Sequence, residues 1–146
     1  MPSQYADPAI DSNYSLWAGT DNSGTAYIAG TATITNSGKE AVYPIIIFSR
    51  AGGTTATIYT VRNETTGKVL LFNYDLLDGE TLTINLDPAE KSIVSSFFGP
   101  RPDAILANCN FGDFFLQPGA NQITSFVNVA GAPTVTAYMT WANKYK

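Results

Sequence analysis

The most closely spaced carboxylates in the chain are Asp75, Asp78 and Glu80, in the run Asp75-Leu76-Leu77-Asp78-Gly79-Glu80. Two carboxylates held about 5 to 9 Å apart suffice geometrically for glycoside hydrolysis, and strands can hold such a pair. The same run, with Gly79 next to its last residue, also reads as a connection between two strands. No other chemistry supports the catalytic reading. The chain has no histidine, which removes the Ser-His-Asp and Cys-His arrangements and the commonest general base. Cys109 is the only cysteine, so no internal disulfide forms. Its setting, Leu106-Ala107-Asn108-Cys109-Asn110-Phe111, reads as a strand with the thiol as a small buried hydrophobe. No basic residue lies beside it to lower its pKa. The glycines fall at turns and form neither a P-loop nor a dinucleotide loop. Asp11 with Asn13, or Asp21 with Asn22, offers hard oxygen atoms to calcium. The spacing is not that of an EF-hand, and these residues read as turn formers. No catalytic residue, cofactor or metal is assigned, and the chain is read as a non-enzyme.

The aromatic residues offer a second kind of chemistry. Tyr5, Tyr14, Trp17 and Trp141 are candidates for an interface or for stacking on a glycan. In strands, aromatic side chains pack across a sheet or anchor an interface more often than they bind sugar, so the interface is the preferred role. Tyr5, Tyr14 and Trp17 lie in a polar N-terminal segment, and an arm of that kind needs a partner surface to hold it.

The elements that must position these residues are strands. Hydrophobic residues make up 45% of the 146-residue chain and charged residues 14%, so the surface must be largely hydroxyl and amide, which suits strands and turns. The net charge of −4 and the absence of a Lys/Arg cluster argue against nucleic acid, whose binding depends on phosphate neutralisation. The longest apolar run, Tyr43 to Phe48, is too short to span a bilayer. The N-terminus shows neither the basic stretch nor the apolar core of a signal peptide, so a protein made without export is expected.

Residues 1–24 are turn-rich and form an N-terminal segment or arm; residues 25–146 form one β-sandwich domain. Alternation and turn residues predict strands over 25–35, 42–49, 54–61, 68–74, 80–86, 91–97, 105–109, 113–116, 121–129 and 134–141. In the strand after Gly79, Leu82, Ile84 and Leu86 share one face while Thr81, Thr83 and Asn85 share the other. The Ile45-Ile46-Ile47-Phe48 run lacks alternation and predicts a strand buried on both faces. About ten short antiparallel strands at this spacing make an all-β sandwich or barrel.

Read in order, Asn36-Ser37-Gly38 leads to Tyr43-Pro44-Ile45-Ile46-Ile47, then to Ile58, Asn63 and Thr66-Gly67. Gly79-Glu80-Thr81-Leu82-Thr83-Ile84 follows, and Phe115-Leu116-Gln117-Pro118-Gly119-Ala120-Asn121-Gln122-Ile123 closes the series. This series resembles the C-terminal domain of siphovirus-type distal tail proteins, over about residues 36 to 127. The resemblance implies a galectin-like or jelly-roll β-sandwich in a phage tail tip or baseplate, hence in the virion after synthesis in the bacterial cytoplasm. It further implies assembly with other phage tail proteins and self-association as a trimer or hexamer. The family has no catalytic residues to transfer, and its matched glycines, prolines and asparagines are turn positions. The alternative is a carbohydrate-binding module contributing to host-surface recognition, with Trp17 or Trp141 against a glycan.

Overall fold

A computed structural model of the chain describes residues 10–15, 19–20, 25–131 and 133–142. They form eleven strands and one 3-10 turn, Pro102–Ala104. The strands are β1 (Ile10–Ser15), β2 (Gly19–Thr20), β3 (Thr25–Asn36), β4 (Ile45–Ala51), β5 (Thr55–Asn63), β6 (Lys68–Asp75), β7 (Thr81–Asn85), β8 (Ser92–Ser95), β9 (Gly99–Pro100), β10 (Gly119–Ala130) and β11 (Thr134–Ala142). One sheet has the order β1-β11-β4-β7-β8-β9, with β2 also on β11, and the other has the order β3-β10-β5-β6. All pairings are antiparallel. The protein is an all-β sandwich. Parts of the 1–24 segment, β1 and β2, lie on β11.

Alternation explains the core. Ile46, Phe48, Leu82, Ile84, Ala137 and Met139 face inward from the larger sheet, and Ile34, Ile58, Phe72, Ile123 and Val127 do so from the smaller. They form one continuous hydrophobic cluster between the two sheets, the largest favourable contribution to folding.

Two expectations need correction. The Ile45–Phe48 run is not buried on both faces: Ile46 and Phe48 are in the core, while Ile45 and Ile47 are half-buried. Ile47 instead lies between Tyr138 and Thr83 on the outer face, which an antiparallel sheet leaves partly wet. Residues 105–109 and 113–116 do not form strands. Each makes a single bridge, Ile105 to Phe72 and Leu116 to Val42. Asn108 turns to φ 62°, which breaks the extended path. The segment then serves as a cover for β6: Leu106 N–H donates to Leu71 O and Asn110 N–H to Val69 O, both at 2.8 Å. Cys109 thus sits in a turn, only partly buried, with Sγ 3.3 Å from Leu106 O.

The asparagines of the turn motifs have a common destination at one end of the sandwich. Asn63 Nδ2 donates to Asn121 Oδ1 (3.1 Å) and to Phe115 O (3.0 Å), while Asn63 Oδ1 accepts from Thr65 and Thr66 N–H. Asn121 closes the Gln117–Gly119 turn by accepting from Gln117 N–H and donating to Gln117 O, both at 2.9 Å. Asn36 donates to Glu40 O and Leu116 O and accepts from Gly38 N–H. All three side chains are buried, so their amides do for the loops what ladder bonds do for strands.

Candidate functional site

The opposite end of the sandwich is organised by Glu80. Strand alternation places Glu80 on the same inward face as Leu82 and Ile84, and its side chain is 0% exposed. A buried carboxylate is costly unless hydrogen-bonded. Here it is met by three donors: the Tyr74 and Ser95 hydroxyls at Oε2, and Leu77 N–H at Oε1 (2.8 Å). Burial pushes the Tyr74 phenol above its ordinary value of 10.0, and its hydrogen bond to Glu80 adds to the shift. On the adjoining strand, buried Arg50 donates to Gly52 O (2.8 Å), Leu76 O (2.7 Å) and Gly53 O (2.9 Å). The 76–79 connection is therefore held from both sides, by Arg50 at Leu76 and by Glu80 at Leu77.

The network reaches the surface through Ser95. While its hydroxyl donates to Glu80, its oxygen accepts from Phe97 N–H (3.0 Å) and Phe98 N–H (3.1 Å). Gly99, at φ 75°, completes the turn into β9. The result is an apolar tip tied down by hydrogen bonds, with Leu77 41%, Phe97 51% and Phe98 52% exposed. The two phenyl rings meet edge to face at 6.3 Å, and the Arg101 guanidinium lies 5.4 Å from the Phe98 ring and 5.8 Å from that of Tyr74. Asp103 fixes Arg101 with two contacts at 3.1 and 3.2 Å. A groove of about 340 Å³ runs between Leu77, Phe98, Tyr74, Asp75 and Arg101. Large exposed aromatics beside a groove and a fixed guanidinium are the composition of a protein-docking surface.

The three carboxylates of the 75–80 run part company. Asp75 Oδ1 accepts from the Thr57 hydroxyl (2.6 Å), Asp78 Oδ1 accepts from Gly52 N–H (2.7 Å), and Glu80 is enclosed in its own network. Each fastens one strand or loop to another. Among the described residues no three His, Cys, Asp or Glu side chains gather as a metal site. Of the calcium candidates, Asp11 and Asn13 lie in β1, whereas Asp21 and Asn22 lie outside the described residues.

Of the aromatic candidates, Tyr5 and Trp17 lie outside the described residues, and Tyr14 lies in β1 opposite Met139. Trp141 is 3% exposed and belongs to the core, at the asparagine end. It also lines a groove of about 260 Å³ with Tyr43, Ile45, Asn85, Asp87 and Glu90. The structure does not bring Trp141 together with the tip. Sequence reasoning missed Phe97 and Phe98 because it ran a strand as far as residue 97. The signal was present in Ser95-Ser96-Phe97-Phe98-Gly99-Pro100, two adjacent aromatics immediately before a Gly-Pro turn.

No curated protein and no solved structure matches the chain. The family model of the siphovirus-type tail component, C-terminal domain, matches residues 37–145. That span contains the Glu80 network, all of the asparagine network but Asn36, and nearly all of the core, and the chain belongs to the siphovirus-type tail component family through its C-terminal domain.

Proposed function

We propose that the protein is a non-enzymatic structural part of a phage tail, placed at the tail tip or baseplate, that works by docking to other tail proteins. The family supports the setting, and the exposed Leu77-Phe97-Phe98 tip is the single structural observation that supports the mode of action. A buried carboxylate with a full set of partners is an expensive device for shaping a surface loop. Its effect is to hold two half-exposed phenyl rings together in water, where a partner can bury them. The test is affinity for the tail proteins of the same particle, measured with wild type and with Phe97→Ser/Phe98→Ser. The wild type is expected to bind and the double variant to lose at least roughly tenfold, since a central aromatic anchor of an interface can contribute about 2 kcal/mol. Equal binding by both would remove the tip from the interface.

The carbohydrate alternative rests on half-buried Tyr43, which borders a groove shared with Asn85, Asp87 and Glu90, since Trp141 lies in the core and offers no ring face for stacking. On that reading Tyr43→Ala abolishes binding to a glycan panel and leaves the fold intact. A panel with no binder overturns it.

A further inference from the structure

Among the described residues, the strand edges of the sandwich are treated unequally. The outer edge of β6 is covered by the 105–110 segment, through Leu106, Asn110 and the Ile105 bridge. The larger sheet ends on one side in β9, two residues long and containing Pro100. On its other side it ends in β1, which is six residues long and carries a register irregularity. Short strands, proline and bulges are the usual protections of an edge. The edge strand β3 has none of them. It runs for twelve residues, Thr25-Ala-Tyr-Ile-Ala-Gly-Thr-Ala-Thr-Ile-Thr-Asn36, and keeps an unbroken register with β10 from Gly119↔Asn36 to Ala130↔Thr25. No strand pairs with its other side among the described residues.

We propose that this edge of β3 pairs with β3 of a second copy, antiparallel about a two-fold axis, joining two four-stranded sheets into one of eight. The groups it presents require a strand as occupant, because only an extended backbone meets a row of alternating N–H and C=O groups in register. The sequence of β3 makes that strand its own. All twelve residues are uncharged, so self-pairing sets no like charges opposite one another. Thr31, Thr33 and Thr35 are exposed on one face, and antiparallel self-pairing about a centre near them places threonine across from threonine, a favourable cross-strand pair. Thr31 already meets Thr124 of β10 in this way, with the hydroxyls 3.4 Å apart. A two-fold contact closes on itself, so the product is a dimer and not an open fibre. The pairing rests on the assembly reading above and names one of its contacts; its centre differs from the docking tip.

Sedimentation velocity over a wide concentration range tests it, using the full chain as wild type and as Thr31→Lys/Thr33→Lys. Both threonines are exposed, so the lysines leave the monomer folded, as far-UV circular dichroism checks. The wild type is expected to form a dimer, and the double-lysine variant to weaken it at least roughly tenfold, with partial recovery in high salt. In a Cys109→Ser background, single cysteines at Ala29, Thr31 or Thr33 should give a disulfide-linked dimer at the position nearest the axis, whereas Gln122→Cys on β10 should not. A wild type that stays monomeric at every concentration overturns the proposal, as does a dimer unaffected by the lysines and never linked through β3. A monomer that still binds tail proteins overturns the pairing alone. A dimer that binds none of them overturns the docking role alone.

Discussion

Glu80 shows how one residue sets a surface it does not reach. Its two oxygens accept from Tyr74, Ser95 and Leu77, and Ser95 passes the constraint to the backbone of Phe97 and Phe98. Glu80→Ala leaves three buried donors without an acceptor and is expected to lower stability by about 3 kcal/mol in urea unfolding. Glu80→Gln keeps one oxygen and is expected to cost less. Tyr74 supplies a pH signature. Its folded pKa lies above the ordinary value of 10.0, so its contribution is fully present below pH 10 and is lost as pH rises through the folded pKa. The fall in unfolding midpoint above pH 10 should therefore be shallower in Tyr74→Phe than in wild type. An equal slope in both proteins contradicts that role. Ser125 points the other way: it is buried, and its Oγ has no hydrogen-bond partner among the described residues. Ser125→Ala is expected to raise stability by about 1 kcal/mol.

At the scale of elements, loops are stitched by side chains where strands end. The Asn63–Asn121 bond joins the β5–β6 turn to the start of β10, and a double-mutant cycle with alanine at both positions should show a coupling of about 1 kcal/mol. At the other end, the β4–β5 and β10–β11 turns interlock. Gly131 has φ 75°, and a Cβ there would lie 2.4 Å from Thr54 Oγ1 and 2.7 Å from Thr54 N. Gly131→Ala is thus expected to lower the unfolding free energy by at least about 2 kcal/mol. Periodicity made the strands legible: β3, β5, β6, β7, β10 and β11 lie where alternation places them, because one wet face and one dry face leave a period of two. It failed where a segment serves an edge without joining a sheet. Residues 105–109 look extended and apolar, yet their partner is one side of β6 and Asn108 turns them away. Ile45 and Ile47 misled for a related reason, since an apolar side chain on an outer face looks in sequence like one in the core. The motif asparagines were readable as turn formers, while their meeting across the sandwich end was not, because it depends on tertiary proximity between positions 58 residues apart. Glu80 was visible only as one of three neighbouring carboxylates. Its burial follows from the face shared with Leu82 and Ile84.

For the whole molecule, the two ends of the sandwich differ in kind. The asparagine end is closed by hydrogen bonds from side-chain amides over a core that includes Trp141, whereas the Glu80 end presents Leu77, Phe97 and Phe98 to solvent. A stable sandwich with one prepared apolar end suits a part that is built into a larger body. Phe97→Ser/Phe98→Ser should leave the unfolding free energy within roughly 0.5 kcal/mol of wild type, because both rings are half exposed and surface changes of this kind are nearly neutral. Its effect belongs to docking. Electron microscopy of purified particles labelled with an antibody to this chain decides whether the protein is a tail component. Label is expected at the tail, at its tip or baseplate. Particles that carry no label, or carry it only on the capsid, would contradict it.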